Sequence, residues 1–210
     1  MEDEDLQLED NLAAISRITN LILKEGKLED IPLTCDLQDG YGEQLEIAIN
    51  KILELGAVGC NLEDSRMENG KLTLIDADEH VERIKKAMDV AKAKGVPDFV
   101  INGRTDCVLL GGTIDEAIER GKRYLEAGAC TVFVWGGLAR GLRDEEVREL
   151  VSGLAGRVNV ICRKGIDQRM LGVKEIRDLG VARISMGPAL WRVGMAAVEN
   201  EMIRLLDVSP

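Results

Sequence analysis

The sequence predicts an α/β fold: a TIM-type (β/α) barrel, incomplete, with six parallel strands. Three observations carry that prediction. Strand-like and helix-like patterns alternate from residue 6 to the end, which favours a parallel sheet with helices outside it. Nearly every apolar run turns polar at its C-terminal end, where a barrel places its working groups. The 210 residues fall short of the roughly 250 typical of a complete eight-fold barrel. A Rossmann sheet is the structural competitor, but no G-x-G-x-x-G follows the first strand, as that fold's dinucleotide site requires.

The elements follow in order. Leu12, Ile15, Ile18 and Ile22 recur at helical spacing, and residues 31–37 read as the first strand. Leu45, Ala48, Ile49, Ile52 and Leu53 mark a helix that Gly56 can end, and residues 57–62 form the second strand. A polar loop follows. Asp76 with Glu79 makes a plausible capping box ahead of the stripe Val81, Ile84, Met88 and Ala91, and Gly95 and Pro97 close that helix. Residues 98–102 are the third strand, Thr113 with Glu116 a second capping box, and residues 130–135 the fourth strand. Val147, Leu150, Val151 and Leu154 mark a further helix, residues 158–162 the fifth strand, and a short helix over 173–179 leads to the sixth at 183–186. Residues 188–206 read as the last helix, with Pro188 in its first turn. Without a linker or composition break, residues 1–210 read as a single domain.

Composition narrows the class. The chain is 45% hydrophobic and 31% charged but only 3% aromatic, so the core must rest on aliphatic side chains. The net charge of −11 argues against nucleic acid or an anionic membrane as a partner. No apolar run approaches a membrane span and no signal peptide is evident. A cytoplasmic location is expected, with organellar import left open if the natural N-terminus is longer. Cys35, Cys60, Cys107, Cys130 and Cys162 are widely spaced, fall in or beside the strands, and read as reduced core thiols. His80, on an acidic helical stretch, reads as a surface residue.

The chemistry sits at the strand ends. Asp36, Gln38 and Asp39 follow the first strand, and Asp36 and Gln38 point to one side. Glu63 and Asp64 end the second strand, and Arg104 and Asp106 follow the third. Hard oxygen ligands from two strands suit Mg²⁺, and an arginine fork suits a carboxylate or phosphate. Two plainer readings stay open: acids that merely decorate loops and caps, and an Arg104–Asp106 pair that closes the barrel mouth. Arg163, Lys164 and Ser185 close later strands and could add charge or hydrogen bonds.

Four segments resemble motifs of the isocitrate lyase/phosphoenolpyruvate mutase superfamily. They are Asp36-Leu37-Gln38-Asp39-Gly40-Tyr41-Gly42, Asn61-Leu62-Glu63-Asp64, Ile101-Asn102-Gly103-Arg104-Thr105-Asp106, and the run from Leu179 through Gly187 to Pro188, which is similar to the mutase-like branch. The resemblance implies that Asp36, Gln38 and Glu63 hold Mg²⁺ (or Mn²⁺), directly or through water. It implies that Arg104 binds the carboxylate or phosphonate of a small anionic oxo- or hydroxy-acid, with Asp106 supporting it in the catalytic site and Ser185 contributing to substrate binding. Such enzymes are Mg-dependent lyases, mutases or hydrolases at C–C or P–C bonds, and a homo-oligomer is expected.

Three features differ from the family pattern. Gln38 stands where an acid is usual, which should weaken Mg²⁺ binding. Residues 65–75 lack the Lys-Lys-Cys-Gly of the lyase branch, and with it that branch's acid/base. The six strands would correspond to the family's third to eighth. An alternative function therefore stands beside the enzyme: a truncated or degenerate relative that binds or oligomerises without turnover.

Overall fold

The computed structural model describes residues 6–27, 30–162 and 172–206. Helix α1 (Leu8–Lys24) is followed by β1 (Thr34–Asp36), α2 (Leu45–Glu54), β2 (Gly59–Glu63), a hairpin of β3 (Ser65–Glu68) and β4 (Lys71–Leu74), α3 (Ala77–Ala93) and β5 (Val100–Thr105). Then come α4 (Ile114–Glu126), β6 (Thr131–Val134), the short α5 (Gly137–Arg140), α6 (Asp144–Gly153), β7 (Val158–Ile161), α7 (Val173–Arg177), β8 (Arg183–Ser185) and α8 (Ala189–Leu206).

Six strands form one sheet in the order β1-β2-β5-β6-β7-β8, with every neighbour pair parallel. Arg183 Nη2 on β8 lies 3.4 Å from Thr34 Oγ1 on β1, so the sheet curls until its two edge strands face each other. This is the expected incomplete TIM-type barrel, a curled half-barrel.

Alternation along the strands separates two faces. Cys35, Cys60 and Ile101 share a register level and pack outward on Ala48, Ile49 and Ile52 of α2 and on Ile84, Ala87 and Ala91 of α3. Val132, Val134, Val158 and Val160 pack on Val147, Leu150 and Leu154. The inner level is polar: Asn102 Nδ2 donates to Asn61 Oδ1 at 2.6 Å, and Thr131 Oγ1 donates to Asn102 Oδ1 at 2.6 Å. A Cβ on Gly59 would sit 2.4 Å from the Val100 carbonyl oxygen, so β2 and β5 need glycine there to approach.

Four expectations change. The segment after β2 is a hairpin rather than a loop; Asn69 and Gly70 both have positive φ (52° and 74°), the two-residue Asn-Gly turn that joins antiparallel strands. β5 extends to Thr105, so Arg104 lies inside the strand. Asp76 caps α3 by accepting from Asp78 N at 2.8 Å, while Glu79 pairs with Arg66 at 2.5 Å instead of closing a box. His80 is fully buried, not a surface residue: it shares the inward face of α3 with Ile84, Ala87 and Ala91, and its ring meets that of Tyr124 edge-on at 4.6 Å. The Thr113–Glu116 box is present at the start of α4. Cys35, Cys60 and Cys107 are buried free thiols.

Candidate active site

Parallel register brings the strand-end groups together. Asp36 closes β1 and Glu63 closes β2, and Glu63 is the direct register partner of Arg104 on β5. Asp36, Gln38, Asp39, Glu63, Arg104 and Asp106 line one cavity of about 390 Å³. A larger cavity of about 1150 Å³ runs along the inside of the half-barrel. Asp36, Arg104, Leu109 and Trp135 line both. Ser185 lines only the larger one, where it exchanges hydrogen bonds with Asn159 at 3.0 and 3.2 Å. Arg163 and Lys164 lie outside the described residues.

Arg104 is held on two sides. Its Nε and Nη2 donate to Asp106 at 2.8 and 3.0 Å, the two-pronged geometry that makes Arg–carboxylate pairs strong. Its Nη1 lies 2.8 Å from Glu63 Oε2. Its guanidinium carbon also sits 5.9 Å from the Phe133 ring centre and 5.8 Å from that of Trp135, within cation–π range.

Behind Arg104 is a buried network. Asp106 accepts from Ser65 Oγ at 2.7 Å, and its backbone N–H donates to Asp64 Oδ1 at 2.9 Å. Asp64 Oδ2 accepts from Tyr124 Oη at 2.6 Å and from Arg120 Nη1 at 3.3 Å. Asp64 and Asp106 are both fully buried, and their partners offset the cost of holding carboxylates away from water. α4 thus fixes the Arg104 fork through two acids. The sequence singled out Asp64 but carries no local sign of Tyr124 or Arg120, which lie far along the chain.

Asp36 remains exposed. Its Oδ1 accepts from Gln38 N at 3.0 Å, and Gln38 holds a left-handed φ of 52°. Asn11 of α1, unnoticed in the sequence, donates to the Asp36 carbonyl and to Tyr41 Oη, both at 2.7 Å. Asp39 accepts from Tyr41 N at 2.9 Å and lies 3.5 Å from Arg83 Nη2. Burial pushes the Glu63 carboxyl up to about 8; Arg104 opposes that rise, while Asp106, Asp36 and Asp39 add to it.

Among the described residues no group of three or more His, Cys, Asp or Glu is set to hold a metal ion on its own. The donor chemistry nonetheless suits Mg²⁺, which keeps several waters and takes one or two carboxylates. Asp36, Gln38 and Glu63 offer hard oxygens to one cavity, and a cation there would offset the repulsion from Asp106, Asp36 and Asp39 that adds to the burial-driven rise of Glu63.

Over 134 residues the chain is 34% identical to 2-methylisocitrate lyase of Escherichia coli K12, covering 60% of this chain and 42% of that protein. Oxaloacetate decarboxylase of Paraburkholderia xenovorans LB400 is 26% identical over 184 residues, 84% of this chain and 58% of the other. The chain spans between 42% and 61% of the length of such curated relatives. The fold matches the structure of oxaloacetate acetylhydrolase in complex with the product oxalate, with a TM-score of 0.79 at 24% identity, over 99% of this chain and 70% of that one. Among the described residues no helix is long and apolar enough to cross a membrane. The phosphoenolpyruvate phosphomutase family model matches residues 1–206, and the chain belongs to that family.

Proposed function

We propose that this chain binds a small 2-oxo or 2-hydroxy acid together with Mg²⁺ or Mn²⁺, and acts as a lyase, mutase or hydrolase at a C–C or P–C bond beside the carboxylate. The observation that carries this reading is the convergence of Asp36, Glu63 and Arg104 on one cavity. Asp36, Gln38 and Glu63 would hold the cation, whose charge polarises a carbonyl oxygen when bound. Arg104 receives the acid's carboxylate through the N–H groups that Asp106 leaves unused, and Asp106 keeps the fork oriented. Asp64, Tyr124 and Arg120 position Asp106 in turn. Ser185 donates to the substrate from the larger cavity. Glu63 lies within hydrogen-bond reach of Arg104, which joins the cation side of the site to the acid side. Sheet, hairpin and helices act as one domain, and the chain works as a homo-oligomer in the cytoplasm.

A second reading has one observation in its favour: Arg104 already gives Nε and Nη2 to Asp106. On that reading the pair braces the barrel mouth, and the protein binds partners without turnover. A screen with Mg²⁺ and Mn²⁺ against oxaloacetate, phosphonopyruvate, isocitrate, methylisocitrate and methylated malates separates the two. Metal-dependent turnover of one of them is expected; turnover of none, together with no binding of oxalate, would leave only the second reading.

A further inference from the structure

The acids named for the turnover screen all carry a second anionic group. Arg104 and the proposed cation take one end of such a molecule and leave the other end without a partner. We propose that Arg183 binds the far carboxylate, and is thereby the residue that selects such acids over counterparts uncharged at that end. The contact is the charge-assisted, planar one that a guanidinium makes with a carboxylate. This deepens, and rests on, the assignment of the acid head to Arg104.

Strand register sets Arg183 at the level of Arg104. Arg104 on β5, Phe133 on β6, Asn159 on β7 and Arg183 on β8 are successive register partners, so all four stand at one level and on one face of the sheet. Both arginines border the larger cavity of about 1150 Å³. Arg183 Nη2 reaches across it to Thr34 Oγ1 on the opposite edge strand, at 3.4 Å. Thr34 lies two residues before Asp36 on β1, about 7 Å along the strand. A four-carbon acid with its head between Asp36 and Arg104 covers that distance with its far carboxylate and one hydrogen bond; oxalate is too short.

Charge separates Arg183 from the other cations that line the cavity. Arg104 already has Asp106 and Glu63, and Arg140 holds Glu146 at 2.6 and 3.2 Å. Among the described residues Arg183 has no acidic partner, and the long contact with Thr34 is its one side-chain hydrogen bond. Arg192 also lacks an acid among them, but it sits on the exposed α8, where water solvates it. Arg183 is half-buried on a strand, so an anion meets a guanidinium already in place and partly shielded from water. Neutral donors stand beside it. Thr34 accepts from Arg183 and keeps its own hydroxyl proton to donate. Ser185 follows two residues later on the same face and is joined to Asn159.

The test is titration calorimetry in the presence of Mg²⁺ with three probes: oxalate, malate and malamate, in which an amide replaces the far carboxylate of malate. Malate and malamate share one head and one shape and differ by the far charge. The parent protein should bind malate at least about ten-fold tighter than malamate, the usual effect of a hydrogen bond to a charged group. Arg183→Gln should bring that ratio to within about three-fold. Arg183→Lys should give a ratio between the two, because the charge stays and the planar fork is lost; it decides the matter if Arg183→Gln fails to fold. Arg192→Gln should keep the parent's ratio. Each ratio is taken within one protein, so a general loss of head-group affinity cancels. Oxalate bound by the parent with no advantage for malate over malamate overturns this proposal alone. So does a ratio unchanged in the Arg183 variants, which gives the far carboxylate to the cation, or a ratio lost in Arg192→Gln, which gives it to α8. Oxalate unbound by the parent overturns the acid-head assignment and this proposal with it.

Discussion

Arg104 Nη1 lies 2.8 Å from Glu63 Oε2 across neighbouring strands. The pair joins the group proposed for the acid to a group proposed for the cation, so the two halves of the site are coupled even when both are empty. Glu63 is held up to about 8, by burial first, and below that pH a proton competes with a cation for it. Mg²⁺ affinity should therefore climb as pH rises from 6.5 to 8.5, and binding below about 8 should release a proton. Calorimetry in buffers of different ionisation heat measures both, and Glu63→Gln should flatten the dependence. A parent protein with pH-independent affinity would remove Glu63 from the cation site.

Gln38 lines the acid cavity between Asp36 and Asp39 and brings no charge. Gln38→Asp adds a negative charge within reach of the proposed cation, and should tighten Mg²⁺ and Mn²⁺ by several-fold to about ten-fold. The left-handed φ of 52° suits Asp about as well as Gln, since short acids tolerate that region. Equal affinity in both proteins would place the cation away from Gln38.

Arg104→Lys keeps a positive charge but loses the fork that spans Asp106. Losing a hydrogen bond to a charged group costs on the order of 1.5–3 kcal/mol, roughly ten- to a hundred-fold in affinity. Oxalate should bind the variant weaker by that factor. A lower melting temperature with no oxalate binding to the parent is the signature of a purely bracing Arg104–Asp106 pair.

His80 should contribute to the acid sensitivity of the fold. Burial first, then Arg83 and Arg120, hold its pKa down to about 3, against about 6.5 in an unfolded chain. Between those values the unfolded state binds the extra proton. The contribution of His80 is thus intact above about pH 6.5 and is lost as pH falls toward 3, at a slope approaching about 1.4 kcal/mol per pH unit. Among the described residues neither ring nitrogen has a hydrogen-bond partner, so His80→Phe should keep the contact with Tyr124 and remove that part of the acid slope. Denaturant melts of both proteins at pH 7, 5.5 and 4.5 measure it; parallel curves would contradict it.

Helix α8 has no buried residue. Leu190, Trp191, Val193 and Val198 are 56–69% exposed, an apolar surface that association would cover. The edges at β1 and β8 add unpaired backbone. The isolated chain should self-associate, and Trp191→Glu with Val198→Glu should shift light-scattering mass toward the monomer. A parent that stays monomeric over a wide concentration range would contradict both features as contact surfaces.

Much of the half-barrel was legible because its signals are local. Aliphatic periodicity marked α2, α3 and α4, and the Thr113–Glu116 box marked where α4 begins. Asp36, Glu63 and Arg104 were readable as strand-end groups, and parallel register then carries them to one cavity. The β3–β4 hairpin had its Asn69-Gly70 signal, but charged residues on its outward face disguised the alternation.

Local patterns along the chain set the order of elements and the chemistry that each strand end would carry. Tertiary structure alone decided the pairings: Asp106 with Arg104 on one side and Asp64 on the other, Tyr124 reaching Asp64 across 60 residues, Trp135 beside Arg104, and His80 inside rather than outside. The reason is physical. Helical or strand spacing fixes which residues share a face, but burial and pKa depend on what that face meets, and that is set by packing between segments distant in the chain.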